Sequence, residues 1–172
     1  MIDFEKNPNK AMQCLLWILN EKPNINKYNI MKIMFAADCY HLNHYGRPIY
    51  GEHYVAMNYG TVPSFMKDLL SMRSGMPFVE CAKNAYKATT VPDLDQLSES
   101  DIEALEYGFA EYAHLSFAEV KNKNHQHRAW LKHAQELRKV RSCPISYEEM
   151  IDDPEVLSDL QALGQLTKNM VF

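Results

Sequence analysis

The sequence runs to 172 residues, 47% apolar and 23% charged, with a formal net charge of −4; these are ordinary globular values and leave room for one real core. They exclude disorder as the main property. Its 18 Lys and Arg are scattered, with one short basic stretch at Arg138, Lys139 and Arg141, which disfavours nucleic acid as the main partner while leaving room for one local basic patch.

No run approaches the roughly 20 apolar residues of a membrane span, and the first six residues lack the charged-then-apolar pattern of a secretion signal. Cys14, Cys39, Cys81 and Cys143 lie far apart with no CxxC pair. They read as reduced thiols in a cytoplasmic protein.

In chain order, Asn7 and Pro8 open a first helix, with Met12, Leu15, Leu16 and Leu19 at helical spacing, and the polar stretch from Asn20 to Asn26 ends it. A second helix follows from about Lys27 to His44. It is apolar around most of its circumference, with only Asn29, Lys32, Ala36 and Asn43 as a narrow polar or small strip, which predicts the central buried element. Gly46 is a suitable left-handed residue for its end.

The period then changes. Ile49-Tyr50 and Tyr54 to Met57 read as two short strands turning at Gly51-Glu52, and Gly60 to Pro63 reads as a second turn, with Pro63 at the first position of a helix carrying Phe65, Met66, Leu69 and Leu70. Phe78 to Cys81 and Tyr86 to Thr89 suggest a second hairpin.

The second half is helical. Ser98-x-x-Asp101, Ser116-x-x-Glu119 and Ser146-x-x-Glu149 mark helix starts, and Asp153-Pro154 opens the last helix, with Val156, Leu160, Leu163 and Met170 along one stripe. These elements predict a single domain over 1–172: a mainly helical α+β fold with one or two short antiparallel β-hairpins packed beside a central buried helix.

Asp38 is the most informative residue for chemistry, because it projects from a face otherwise made of Met31, Met34, Leu42 and Tyr45. A carboxylate there costs several kcal/mol unless it is satisfied. It either accepts hydrogen bonds from Arg47 or from the amides of the Tyr59–Val62 turn, or acts as a general base. Asp38, His41 and His44 recur at steps of three and drift about 120° around the helix, so this helix alone does not complete a metal site. His114, His125, His127 and His133 form a second loose group. Neither group has HExxH or zinc-finger spacing, and no phosphate-binding loop or nucleophile elbow is present. No catalytic residue, metal ligand or cofactor is assigned. Tyr50, Tyr54 and Tyr59 with Met57 are candidates either for sealing the core or for an aromatic binding patch.

The stretch from Lys32 to Ser64, with Phe35-Ala36-Ala37-Asp38, His41-Leu42, Tyr45-Gly46-Arg47-Pro48-Ile49, Tyr54-Val55-Ala56 and Gly60-Thr61-Val62-Pro63 in order, resembles the signature of the Panacea domain. That family includes SocA-like antitoxins and GepA-type phage-associated proteins. Leu97 to Asp101, His125 to Trp130 and Ile145 to Met150 also resemble it. Two positions depart from its pattern: Thr61 and Arg128 stand where proline is usual, and the first is expected to loosen the turn.

The resemblance implies an antitoxin that binds a cognate protein toxin, with one branch acting as a proteolytic adaptor that delivers its toxin to a cellular protease. Arg47, Tyr50, Tyr54, Tyr59, Val62 and Pro63 are the toxin-binding candidates, with Asp38, His41, Gly46 and Gly60 as structural anchors. The competing readings are a metal-assisted hydrolase or nuclease using Asp38 and nearby histidines, and a DNA-binding autoregulator. The sequence does not fix an oligomeric state.

Overall fold

A computed structural model describes residues 1–170. Helix α1 (Pro8–Glu21) begins as its sequence dictates: the Asn7 side chain accepts from the Lys10 N–H, and Pro8 fills a first-turn position whose missing N–H costs nothing. A two-residue strand β1 (Ile25–Asn26) leads into α2 (Lys27–Tyr45), which Asn26 caps and which stops at Gly46 in the left-handed region, φ 70°.

Helix α2 is the axis of the molecule. Ile30, Ile33, Met34 and Ala37 enter one apolar cluster with α1, while Phe35, Cys39 and Leu42 enter a second with the C-terminal third of the chain. Its supposed polar strip is also covered. Asn29 and Lys32 are buried, and the Asn29 amide donates to the carbonyls of Tyr112 and Leu115. Residues with polar side chains line this face because buried backbone carbonyls need donors there, not because water reaches it.

Two small antiparallel sheets flank α2. In the first, β1 pairs with β5 (Ala85–Ala88), which pairs with β4 (Val79–Ala82). This is the expected second hairpin. The other differs from the sequence reading. Strand β2 (Tyr54–Met57) pairs with β3 (Gly60–Pro63) through the Asn58-Tyr59 turn, and with β6 (Ser142–Ile145) on its other side. Residues 60–63 are thus a strand, not a turn, and Ile49-Tyr50 is irregular, not a strand.

The physical reason is that the polar groups of Ile49-Tyr50 find partners outside any ladder: Ile49 N–H donates to Asp38, and the Tyr50 carbonyl accepts from Asn7 N–H. Pro63 precedes α3 (Ser64–Ser71) as its cap position and is not its first residue. Glu52, fully buried, accepts from the Phe65 and Met66 amides and so caps that helix from a distance.

The three Ser-x-x-Asp/Glu boxes form as read, at α4 (Glu99–Tyr112), α5 (Phe117–Asn124) and α7 (Tyr147–Met150). A short α6 (Arg128–Leu131) follows α5. On the last helix, α8 (Pro154–Asn169), Val156 and Leu160 pack on the second cluster, whereas Leu163 and Met170 are exposed, so the expected stripe is only half covered. No described helix is long and apolar enough to cross a membrane.

Candidate functional site

Asp38 lies completely enclosed, and its partners are not those expected. Its Oδ1 accepts from Ile49 N–H at 2.8 Å and its Oδ2 from the Tyr54 hydroxyl at 2.5 Å. The Arg47 guanidinium turns instead to Asp101 at 3.4 Å and to the Pro48 carbonyl. Burial pushes the Asp38 carboxyl up to about 6, against the pull of its two donors. His41 serves the same loop: Nδ1–H donates to the Arg47 carbonyl at 2.7 Å, and Nε2 faces Ser100 and Asp101. Asp101 collects Lys10 at 2.6 Å, His41 and Arg47. Burial would raise its carboxyl, but hydrogen bonds from His41, Lys10 and Ser98 hold it well below the usual range.

At the other end of β2–β3, a second buried charge holds the hairpin. Lys32 Nζ donates to the Thr61 carbonyl at 2.6 Å and lies over the Tyr28 ring, 4.6 Å from its centroid. Burial lowers this amine to about 7. Asn124 of α5 accepts from the Thr61 N–H at 2.7 Å and donates to its hydroxyl at 2.9 Å. A proline at 61 would have no N–H to give, so this threonine does not loosen the segment but fastens it. Gly60 fits with φ 119°, and a Cβ there would overlap the Asn124 amide. The Trp130 indole N–H donates to the Met57 carbonyl at 2.8 Å, and His125 stacks on that indole. Arg128 ties the same loop to Asp152 at 3.3 Å and to carbonyls of α7.

These braces present one exposed tip. Tyr59 is 59% and Phe117 54% exposed, with ring centroids 5.6 Å apart. Phe117 also packs on Tyr28, whose hydroxyl donates to the Tyr59 carbonyl. Of the six binding candidates, Tyr50, Tyr54 and Pro63 are buried and offer a partner no side chain in this fold, and Val62, also buried, shows only an edge to the groove beside Tyr59. Tyr59 and Arg47 reach solvent. Phe117 and Tyr28 complete the tip, with Lys32 buried beneath it, and none of the three was anticipated. Phe117 lies 58 positions beyond Tyr59, and no local pattern announces a contact of that range.

A groove of about 980 Å³ runs along α2 between Tyr40, His44, Tyr107 and Asp152, with Cys39 and His127 in its wall. The Cys39 sulfur lies 3.8 Å from His127 Nε2. Ala129 N–H donates to His127 Nδ1, which leaves the neutral ring's proton on Nε2, facing the sulfur. A ring so arranged takes no proton from a thiol, and burial, with Asp38 and Asp152, pushes that thiol well up. Among the described residues His133, Glu136 and Cys143 bring one donor each within 4.8 Å, a set that could hold a borderline cation such as zinc. Neither Asp38, His41 nor His44 belongs to it.

The enclosed carboxylate and the braced hairpin together hold one exposed aromatic tip. A family model described as "Antitoxin SocA-like, Panacea domain" matches residues 30–131, and the chain belongs to that family. Neither the curated proteins nor the solved structures contain a match to it.

Proposed function

We propose that this chain is an antitoxin that neutralises a protein toxin by covering part of its surface with the Tyr59–Phe117 tip. The observation that carries the reading is an exposed aromatic pair on a turn whose flanking backbone is held at Met57, Tyr59 and Thr61 by side chains of Trp130, Tyr28, Lys32 and Asn124. Exposed aromatics mark interfaces, and a turn fixed before binding loses little freedom on docking. In this reading Asp38, His41, Gly46 and Gly60 shape the scaffold, Arg47 belongs with them through Asp101, and Tyr50, Tyr54, Val62 and Pro63 form the floor beneath the contact surface.

The test is genetic and biophysical together. The neighbouring reading frame, expressed alone, arrests growth, and this chain restores it. Tyr59→Ala abolishes rescue while changing stability by less than about 0.5 kcal/mol, as expected for an exposed side chain. Rescue that survives Tyr59→Ala and Phe117→Ala at unchanged melting temperature moves the contact elsewhere. A toxin whose lifetime in the cell shortens when this chain is present separates delivery to a protease from simple covering.

A further inference from the structure

Beside the Tyr59 ring lies a groove of about 440 Å³ between Tyr28 and Met57, and every charged residue lining it is basic: Lys27, Lys67 and Arg141, with the buried Lys32 amine behind them. In a chain with 22 Asp and Glu against 18 Lys and Arg, such a cluster needs a reason. The fold does little to neutralise it. Lys32 meets a carbonyl and a ring face, Lys27 donates to the Ser71 hydroxyl at 2.9 Å, and Arg141 makes no ion pair or side-chain hydrogen bond among the described residues. Lys67 reaches only Asp68, at 3.8 Å and 77% exposed. Lys121 adds a further cation, 5.5 Å from the Tyr59 ring. Burial and the nearby Lys67 draw Lys27 below the ordinary lysine range, so Asp68 does not compensate the crowding. Like charges held together at a groove destabilise the free chain and favour an anionic visitor.

We propose that the toxin presents to this groove an acidic segment with interleaved apolar side chains. The inference rests on the antitoxin reading of the same tip. Carboxylates of such a segment meet Lys27, Lys67 and Arg141, while its apolar side chains lie against Met31 and Met57, which are unbranched and adapt to them. Single-stranded nucleic acid is the rival anion, and the ring faces disfavour it. Tyr28 is packed against Phe117 at 4.6 Å and has Lys32 over its ring, which leaves Tyr59 as the one exposed ring in the groove lining, short of the successive platforms on which a strand of bases stacks.

The experiment titrates the purified chain with a short fluorescent peptide rich in Glu and Leu, its Lys-for-Glu counterpart, and an oligothymidylate, reading anisotropy at low and physiological salt. The Glu peptide binds, more weakly as salt rises, and the Lys peptide does not. Lys67→Glu with Arg141→Glu lowers the affinity by about tenfold or more, at a melting temperature no lower than that of the wild type. Tighter binding of the oligothymidylate, or a Glu-peptide affinity indifferent to the charge reversal, overturns the inference.

Growth rescue separates the two levels. If the charge-reversed chain rescues fully while Tyr59→Ala does not, the acidic segment is refuted and the antitoxin reading stands. If the wild-type chain fails to rescue, the reading fails, and the peptide titration still decides whether the groove selects acidic segments.

Discussion

The two ends of the β2–β3 hairpin are each gripped by a buried charge from α2, and the grips differ. Asp38 meets Tyr54 at the start of β2 with both oxygens engaged by donors, deep in apolar surroundings. Lys32, at the opposite end, has one carbonyl and a ring face but no carboxylate. The first charge is finished within the fold, while the second sits under the exposed tip and beside other uncompensated cations. A closed network holds shape; an open one leaves attraction for something outside.

Removing the closed end is expected to do the most damage. Asp38→Ala leaves the Ile49 N–H buried without an acceptor, at roughly 1–3 kcal/mol, and leaves the Tyr54 hydroxyl only the Met34 carbonyl at 3.1 Å, so urea unfolding should show a loss of about 2–3 kcal/mol after relief of the buried charge. The carboxylate's raised pKa has a definite sign. The folded chain holds the proton more tightly than the unfolded chain, so this group's contribution is greatest below about pH 4 and is lost as the pH rises through about 6. Asp38→Asn removes that slope. Asp101, held low, works the other way and loses its contribution as the pH falls, so the slope is read as a difference between wild type and Asp38→Asn.

Gly60→Ala comes next. A φ of 119° disfavours any side chain, and the added methyl would push the Asn124 amide off Thr61. The expected cost is about 2 kcal/mol, with rescue falling alongside stability. A Gly60→Ala chain of wild-type melting temperature would show that the Asn124 brace is dispensable.

Where local chemistry decides structure, the sequence is readable: Asn7-Pro8 and the Ser-x-x-Glu boxes form as written because their partners lie within one turn. Where a distant partner decides, it is not. Gly60 to Pro63 carries turn residues yet becomes a strand, because β2 and Asn124 supply its bonds. Strand β6 contains Pro144, which an edge strand tolerates, and so gave no strand signal. Lys32 resembles a solvated lysine until α5 and the hairpin close over it. At the site, Tyr59 was legible as an aromatic candidate, but the sequence places its turn, Asn58-Tyr59, two residues too late, at Gly60 to Pro63; that Tyr54, Val62 and Pro63 face inward was not legible, because alternation along a strand says nothing of which face another element will cover, and Tyr50 lies on no strand at all.

The open end should respond to pH in the alkaline direction. Lys32 is lowered to about 7, so above that pH the unfolded chain binds the proton that the folded chain has released, and stability rises with pH at up to about 1.4 kcal/mol per unit until the ordinary lysine range is reached. Lys32→Met keeps the stem, costs about 1–2 kcal/mol through the unpaired Thr61 carbonyl, and abolishes the rise. If wild type and Lys32→Met keep parallel stability curves between pH 7 and 9, Lys32 is not the titrating group.

The smallest stability effect bears most directly on function. Trp130→Phe deletes one donor to the Met57 carbonyl beside the exposed Asn58, where water can replace it, and should cost about 1 kcal/mol or less. The loss of bracing is nevertheless felt when the toxin docks, since the turn must then be ordered at the expense of binding. Toxin affinity should fall by more than the stability change alone predicts, mainly through faster dissociation. An affinity unchanged in Trp130→Phe would mean that Tyr28, Lys32 and Asn124 suffice to hold the tip, and the open end of the hairpin would then be as rigid as the closed one.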